Sequence, residues 1–237
     1  TSRQQALGQV LEGLGFRPVA RHRSREVLLY RQGAMNVVIN AHDGARPRGE
    51  ALGETPVITA VGLRVRDAAA AYRRALERGA WAVPVQVEVM ELHIPAIHGV
   101  GASRIYFVDR ADVFSIWDVD FVWTGARDPK PEKCGLHYPD HLTHNVQRGR
   151  MDHWAGWYQT LFNFRDIRFF NIEGKLTGLV SRAMTSPCGK IRIPINESLD
   201  DKSQIEEYLR EYKGEGIQHV AMGCRDIYES VAKLSAN

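Results

Sequence analysis

The sequence predicts an α+β fold built from tandem β-α-β-β-β modules. Three observations predict it: strand-like and helical runs alternate, one strand pattern recurs far along the chain, and each copy passes into a helix through Arg-Asp. The copies are Ile58-Thr59-Ala60-Val61-Gly62-Leu63-Arg64-Val65-Arg66-Asp67 and Ile217-Gln218-His219-Val220-Ala221-Met222-Gly223-Cys224-Arg225-Asp226. Asp67 and Asp226 suit helix N-caps, because a carboxylate there accepts the unpaired N–H groups of the first turn. Recurrence of one unit points to stacked modules, none of which buries its apolar face alone.

The elements follow in order. A helix over Gln4–Leu14 precedes strands near Phe16–Arg21, Val27–Arg31 and Asn36–Asn40, a first unit without its opening strand. The second unit opens with the strand beginning at Ile58 and continues with a helix over Ala68–Arg78. Strands over Ala82–Glu88, Arg104–Val108 and Phe114–Phe121 close it. Gly125–Pro139, with Pro129, Pro131, Pro139 and several charges, reads as an interdomain linker. The third unit runs from a strand over Leu142–Val146 into a helix over Met151–Phe162. Trp154, Trp157, Tyr158 and Leu161 form one apolar stripe on that helix, a core face and not a cofactor box. Strands over Ile167–Ile172, Gly178–Met184 and Ile191–Asn196 complete it. The fourth unit has its strand and a helix over Ile227–Leu234, and its three closing strands are not in the sequence.

The expected division is therefore an N-terminal domain of two modules over 1–124, a linker over 125–139, and a second domain over 140–237 that is incomplete at its C-terminus. A half-module leaves an unpaired sheet edge, so the chain is expected to be a fragment at both ends.

Composition narrows the function classes. No apolar run approaches the roughly 18 residues of a membrane span. A formal charge of +3 is too small to argue for nucleic acid, and the basic run Arg21–Arg25 meets Glu26 at once and reads as a solvated loop. Cys134, Cys188 and Cys224 are odd in number and lack C-x-x-C spacing, which speaks against a disulfide framework and a thiolate metal site. No signal peptide opens the chain, and a reducing cytoplasm is the default.

Two histidines stand out. His141 in Asp140-His141-Leu142-Thr143-His144-Asn145-Val146 and His219 in Gly216-Ile217-Gln218-His219-Val220-Ala221 lie near the starts of matching strands. Two histidines at one place in two copies of a unit suggest ligands facing each other across a pseudo-two-fold. Neutral imidazole is a common transition-metal ligand, and two of them plus one carboxylate leave positions open for substrate and dioxygen, as in non-haem iron oxygenases. Ala60 occupies the position of His219 in the N-terminal copy, so the unit itself does not require histidine. His144 points to the other face of its strand and is expected to pack. His137 and His153 have no partner at suitable spacing, and His42, His93 and His98 lie in the half without the pair. The third ligand is expected from a closing strand of the fourth unit, beyond Asn237.

The chain also resembles a known family. Asp140–Val146, Phe162-Asn163-Phe164-Arg165, Ile191–Glu197, Ser203–Leu209 and Gly214–Val220 occur in the order and form of the 4-hydroxyphenylpyruvate dioxygenases of the vicinal oxygen chelate (glyoxalase-like) superfamily. The N-terminal half resembles that family's non-catalytic domain through Leu29–Gly33 and Glu91–Ile97. The resemblance implies an open, barrel-like mixed sheet with helices outside, and an iron(II) site of two histidines and one glutamate. His141 and His219 match the histidines, and the glutamate is expected beyond Asn237. Ser181, Asn196, Gln204 and Gln218 match residues lining the substrate pocket. The implied partners are 4-hydroxyphenylpyruvate and O2, and the implied products are homogentisate and CO2, in tyrosine and phenylalanine catabolism. A homo-oligomer is expected, with no nucleic acid or membrane partner. The alternatives are 4-hydroxymandelate synthase, an extradiol catechol dioxygenase, a dioxygenase-like domain fused to another enzyme, and a non-catalytic small-molecule-binding module of the superfamily. The chain by itself is expected to bind iron weakly and to be inactive.

Overall fold

The computed structural model describes residues 1–42, 53–84, 91–109, 114–173 and 178–237. The first unit has helix α1 (Gln4–Gly13) and an antiparallel meander of β1 (Arg17–His22), β2 (Val27–Gln32) and β3 (Met35–Asn40). Leu11, Phe16, Tyr30, Met35 and Ile39 form the core between helix and sheet.

In the second unit β4 (Ala60–Arg64) leads into α2 (Ala68–Glu77), whose N-cap Asp67 accepts from Ala70 N at 2.8 Å. β5 (Ala96–His98) and β6 (Arg104–Val108) follow, with β4 parallel to β6 and β5 antiparallel to it. Ala82 bridges Ile97, which puts the unit's second strand position beyond β5. The predicted strand over Ala82–Glu88 otherwise lies largely outside the described residues. The predicted strand over Phe114–Phe121 is not formed. Ser115 and Asp118 make a capping box, which satisfies the free N–H groups of a short helix α3 (Ile116–Asp120). The chain becomes extended only at β7 (Phe121–Trp123), which pairs with β1.

The third unit repeats this plan with more residues. β8 (Leu136–Val146), α4 (Met151–Phe162), β9 (Arg165–Glu173), β10 (Gly178–Thr185) and β11 (Arg192–Ser198) give the spatial order β8-β11-β10-β9, with β8 parallel to β11. That matches the order β4-β6-β5-Ala82 of the second unit, so the repeat seen in sequence is a repeat of topology. β8 starts earlier than the predicted strand and takes in Leu136–Pro139 from the linker stretch, because Met222–Cys224 pair with them. Gly135 (φ 78°) makes the turn into the strand.

A helix not anticipated from the sequence, α5 (Gln204–Tyr212), follows β11. Ser203 caps it by accepting from Glu206 N, a Ser-x-x-Glu start. The fourth unit supplies β12 (Gly216–Cys224) and α6 (Ile227–Ser235), whose N-cap Asp226 accepts from Tyr228 N and Glu229 N. β12 pairs antiparallel with β8, so the opening strands of units three and four lie side by side at a local two-fold.

The result is an open five-stranded mixed sheet, β12-β8-β11-β10-β9. Helix α4 covers one face through Val146, Met151, Ala155, Tyr158, Met184, Ile193 and Ile195. The aromatic stripe of α4 is core, as its spacing predicted. The halves share packing: Leu161 of α4 is buried with Ala75, Ile97 and Phe107, and Val100 is buried with Val146 and Ile195. Among the described residues no helix is long and apolar enough to cross a membrane, and all three cysteines are free thiols.

Candidate metal centre

Because α4 packs on residues 146, 184, 193 and 195, side chains of opposite parity in these strands face the other way, into the concave side of the sheet. On β8 that set is His141, Thr143 and Asn145. On β11 it includes Asn196, directly opposite Asn145, and on β10 it includes Ser181, directly opposite Asn196.

His219 reaches this face by an irregularity. Ile217 pairs with His144 and His219 pairs with Thr143, so Gln218 is an extra residue in β12. Strict alternation would put His219 on the side of the buried Ile217. The bulge turns it to the concave face instead, the re-aiming for which bulges are used beside functional sites. The same device recurs on β8: Ala221 pairs with His141 and Met222 with Pro139, so Asp140 is the extra residue. Each histidine is thus preceded by a bulged residue, and each bulged residue holds the ring behind it. Asp140 Oδ2 accepts from His141 Nδ1 at 2.8 Å, and Gln218 Oε1 accepts from His219 Nδ1.

The two rings stand 5.7 Å apart between centroids at 71°. Imidazoles sharing one ion through N–metal bonds of about 2.1 Å have centroids roughly 4.5–5.5 Å apart, slightly less than the spacing here. With both Nδ1 protons donated backward, both Nε2 atoms keep their lone pairs for a ligand role. His219 Nε2 accepts from the Thr143 hydroxyl at 3.0 Å. His219 is exposed at its surface, yet partial desolvation of the ring, then the neighbouring His141, lowers its pKa. The donor set therefore fits a divalent transition metal. Among the described residues no group of three His, Cys, Asp or Glu side chains is placed to hold one.

Residues 1–122 match the family description hydroxyphenylpyruvate dioxygenase, HPPD, N-terminal. The chain belongs to the hydroxyphenylpyruvate dioxygenase family. It is 53% identical over 232 residues to hemolysin VllY of Vibrio vulnificus and 50% identical over 233 residues to 4-hydroxyphenylpyruvate dioxygenase of Pseudomonas aeruginosa. These alignments cover 97% and 98% of the chain, which spans 65% of the length of either relative. A solved xylose isomerase-like TIM barrel/4-hydroxyphenylpyruvate dioxygenase fusion protein superposes with a TM-score of 0.74 at 31% identity, over 98% of this chain and 36% of that one.

The six residues that the resemblance singles out fall into two groups and one outlier. His141, His219 and Gln218 form one cluster, and Ser181 and Asn196 face each other across β10 and β11. The sixth, Gln204, opens α5 and is exposed. Helix α5 packs across β8, β11 and β12 on the concave side. Gly216 permits that approach: a Cβ there would lie 2.4 Å from Tyr212 Cε1 and 2.6 Å from Tyr208 Oη. Gly216 pairs with Asn145, so Tyr208 and Asn145 share this face, and among the described residues the buried Asn145 Oδ1 and Tyr208 Oη have no hydrogen-bond partner. His144 is a packing residue, as alternation predicted. It is buried beneath α4 with Nε2 2.7 Å from Tyr158 Oη.

Sequence reasoning missed Asp140, Thr143, Asn145 and Tyr208. The available signal was an acceptor immediately before each histidine, Asp140 and Gln218. In a regular strand neighbours point to opposite faces, so adjacency alone carried no meaning.

Proposed function

We propose that this chain carries most of an iron(II)-dependent dioxygenase that converts 4-hydroxyphenylpyruvate and O2 to homogentisate and CO2. The observation that supports the reading is the pair of bulge-mounted histidines, each with Nδ1 held by the residue before it and the two rings 5.7 Å apart. Two imidazoles and one carboxylate are the ligand set of non-haem iron oxygenases, and the third ligand is proposed to be a glutamate outside residues 1–237. When bound, iron(II) supplies dioxygen activation and the oxidative chemistry on the 2-oxo acid and ring.

The chain's own residues do the rest. Asp140 and Gln218 hold the proton on Nδ1 of His141 and His219 and so fix the tautomer that leaves Nε2 free to bind. Ser181 and Asn196 supply hydroxyl and amide groups to the end of the substrate remote from the histidines. Asn145, which carries this polar row onto β8, lies two residues from Thr143 and hence about 7 Å along the strand from the point where His219 crosses. That spacing suits a phenyl ring with a short side chain lying between the histidines and the polar row. Helix α5 covers the end of this face around Gly216 and Asn145 and leaves the histidine end open. Gln204 is proposed to complete the polar lining from that helix. A cytoplasmic setting, a homo-oligomeric state and a place in tyrosine breakdown belong to the same reading.

The test is iron titration of the full-length protein with 4-hydroxyphenylpyruvate, following dioxygen uptake and identifying the product. Homogentisate supports the reading. Hydroxymandelate, or no substrate-dependent uptake with iron bound, overturns it. His219→Ala is expected to abolish turnover, and near-normal activity would contradict the ligand role.

A further inference from the structure

The two bulges are alike in backbone and unlike in chemistry. Behind His141 stands a carboxylate, Asp140, whose other oxygen accepts from Arg192 Nη1 at 2.7 Å. Behind His219 stands a neutral amide, Gln218. A carboxylate on Nδ1 raises the basicity of Nε2 more than an amide does, because it stabilises the positive charge that the ring acquires on giving up its lone pair. A second difference has the same sign. The Thr143 hydroxyl occupies His219 Nε2, whereas among the described residues no hydrogen bond reaches His141 Nε2. Any cation must displace that hydroxyl before His219 can bind it.

We infer that the histidines are built as unequal donors: Asp140, anchored by Arg192, makes His141 the strong, first-engaged ligand, and Gln218 with Thr143 leaves His219 the weaker one. The inference rests on the metal-site reading proposed above. Asp140, Arg192 and Gln218 are positioning residues, acting through the rings rather than on a substrate. Arg192 comes from β11, so the order of donor strength is tied to the parallel pairing of β11 with β8.

Co(II) binding by the full-length metal-free protein tests this without any turnover. Isothermal titration gives the Kd, and circular dichroism of each variant checks its fold. Asp140→Asn keeps shape and removes charge, and is expected to weaken Co(II) binding 10–100-fold, the range typical of lost partners behind a metal ligand. Gln218→Ala is expected to weaken it less. Adding Gln218→Glu to Asp140→Asn puts a carboxylate behind the other ring, and is expected to recover most of the loss, which a merely structural role for Asp140 would not allow. Equal losses in the two single variants, or no recovery in the double variant, overturn the inequality while leaving the metal site standing. Failure of the parent protein to bind Co(II) overturns both.

Discussion

Acidification probes how the sheet holds His144. The ring is about 1% exposed beneath α4 and hydrogen-bonds to the Tyr158 hydroxyl, which burial keeps protonated by raising its pKa. Burial pushes the His144 pKa from 6.5 down to about 4, since a charged imidazolium finds no solvation there. The sign follows from the depressed folded value: the unfolded chain takes up a proton near pH 6.5 while the folded chain refuses it until about pH 4. The stabilisation is therefore complete above pH 6.5 and is lost as pH falls through the window between 6.5 and 4. Across that gap of about 2.5 pH units the total is about 3 kcal/mol, most of which is lost by pH 4.5. Urea unfolding of the parent and of His144→Gln at pH 7.5, 6.0 and 4.5 measures it. Gln cannot titrate, so whatever its constant offset, the variant is expected to lack this slope. Parallel pH profiles for the two proteins would refute the assignment of the slope to this ring.

Two further outcomes are expected. Asn196→Ala removes one hydrogen bond to substrate worth about 0.5–1.5 kcal/mol, so KM for 4-hydroxyphenylpyruvate should rise about 2- to 12-fold with iron affinity unchanged; an unaltered KM would remove Asn196 from the pocket. Gly216→Ala places a methyl group 2.4 Å from the Tyr212 ring, and overpacking of this kind costs about 1–3 kcal/mol, which a lowered Tm would report and an unchanged Tm would contradict.

Much of the architecture was legible because its signals are local. Asp67 and Asp226 marked helix starts and do cap them, and the spacing of Trp157, Tyr158 and Leu161 marked a buried helix face that is indeed buried. Local signals also misled at Phe114–Phe121. That run is apolar enough for a strand, yet Ser115 and Asp118 cap a helical turn first. Helix α5 carried its Ser-x-x-Glu start in plain view at Ser203 and Glu206, inside a stretch read only for its resemblance.

The sequence by itself marked the module plan, the helices α1, α2, α4 and α6, and His141 and His219 as the candidate pair among nine histidines, since each depends on periodicity, caps or recurrence within a short window. Only the tertiary structure decided that Asp140 and Gln218 are extra residues in their strands, that they grip the rings beside them, and that His219 turns away from the side of Ile217. A bulge is a mismatch in count between two paired strands. These two lie more than seventy residues apart, as the His219–Thr143 pairing shows, so neither strand's own residues reveal it.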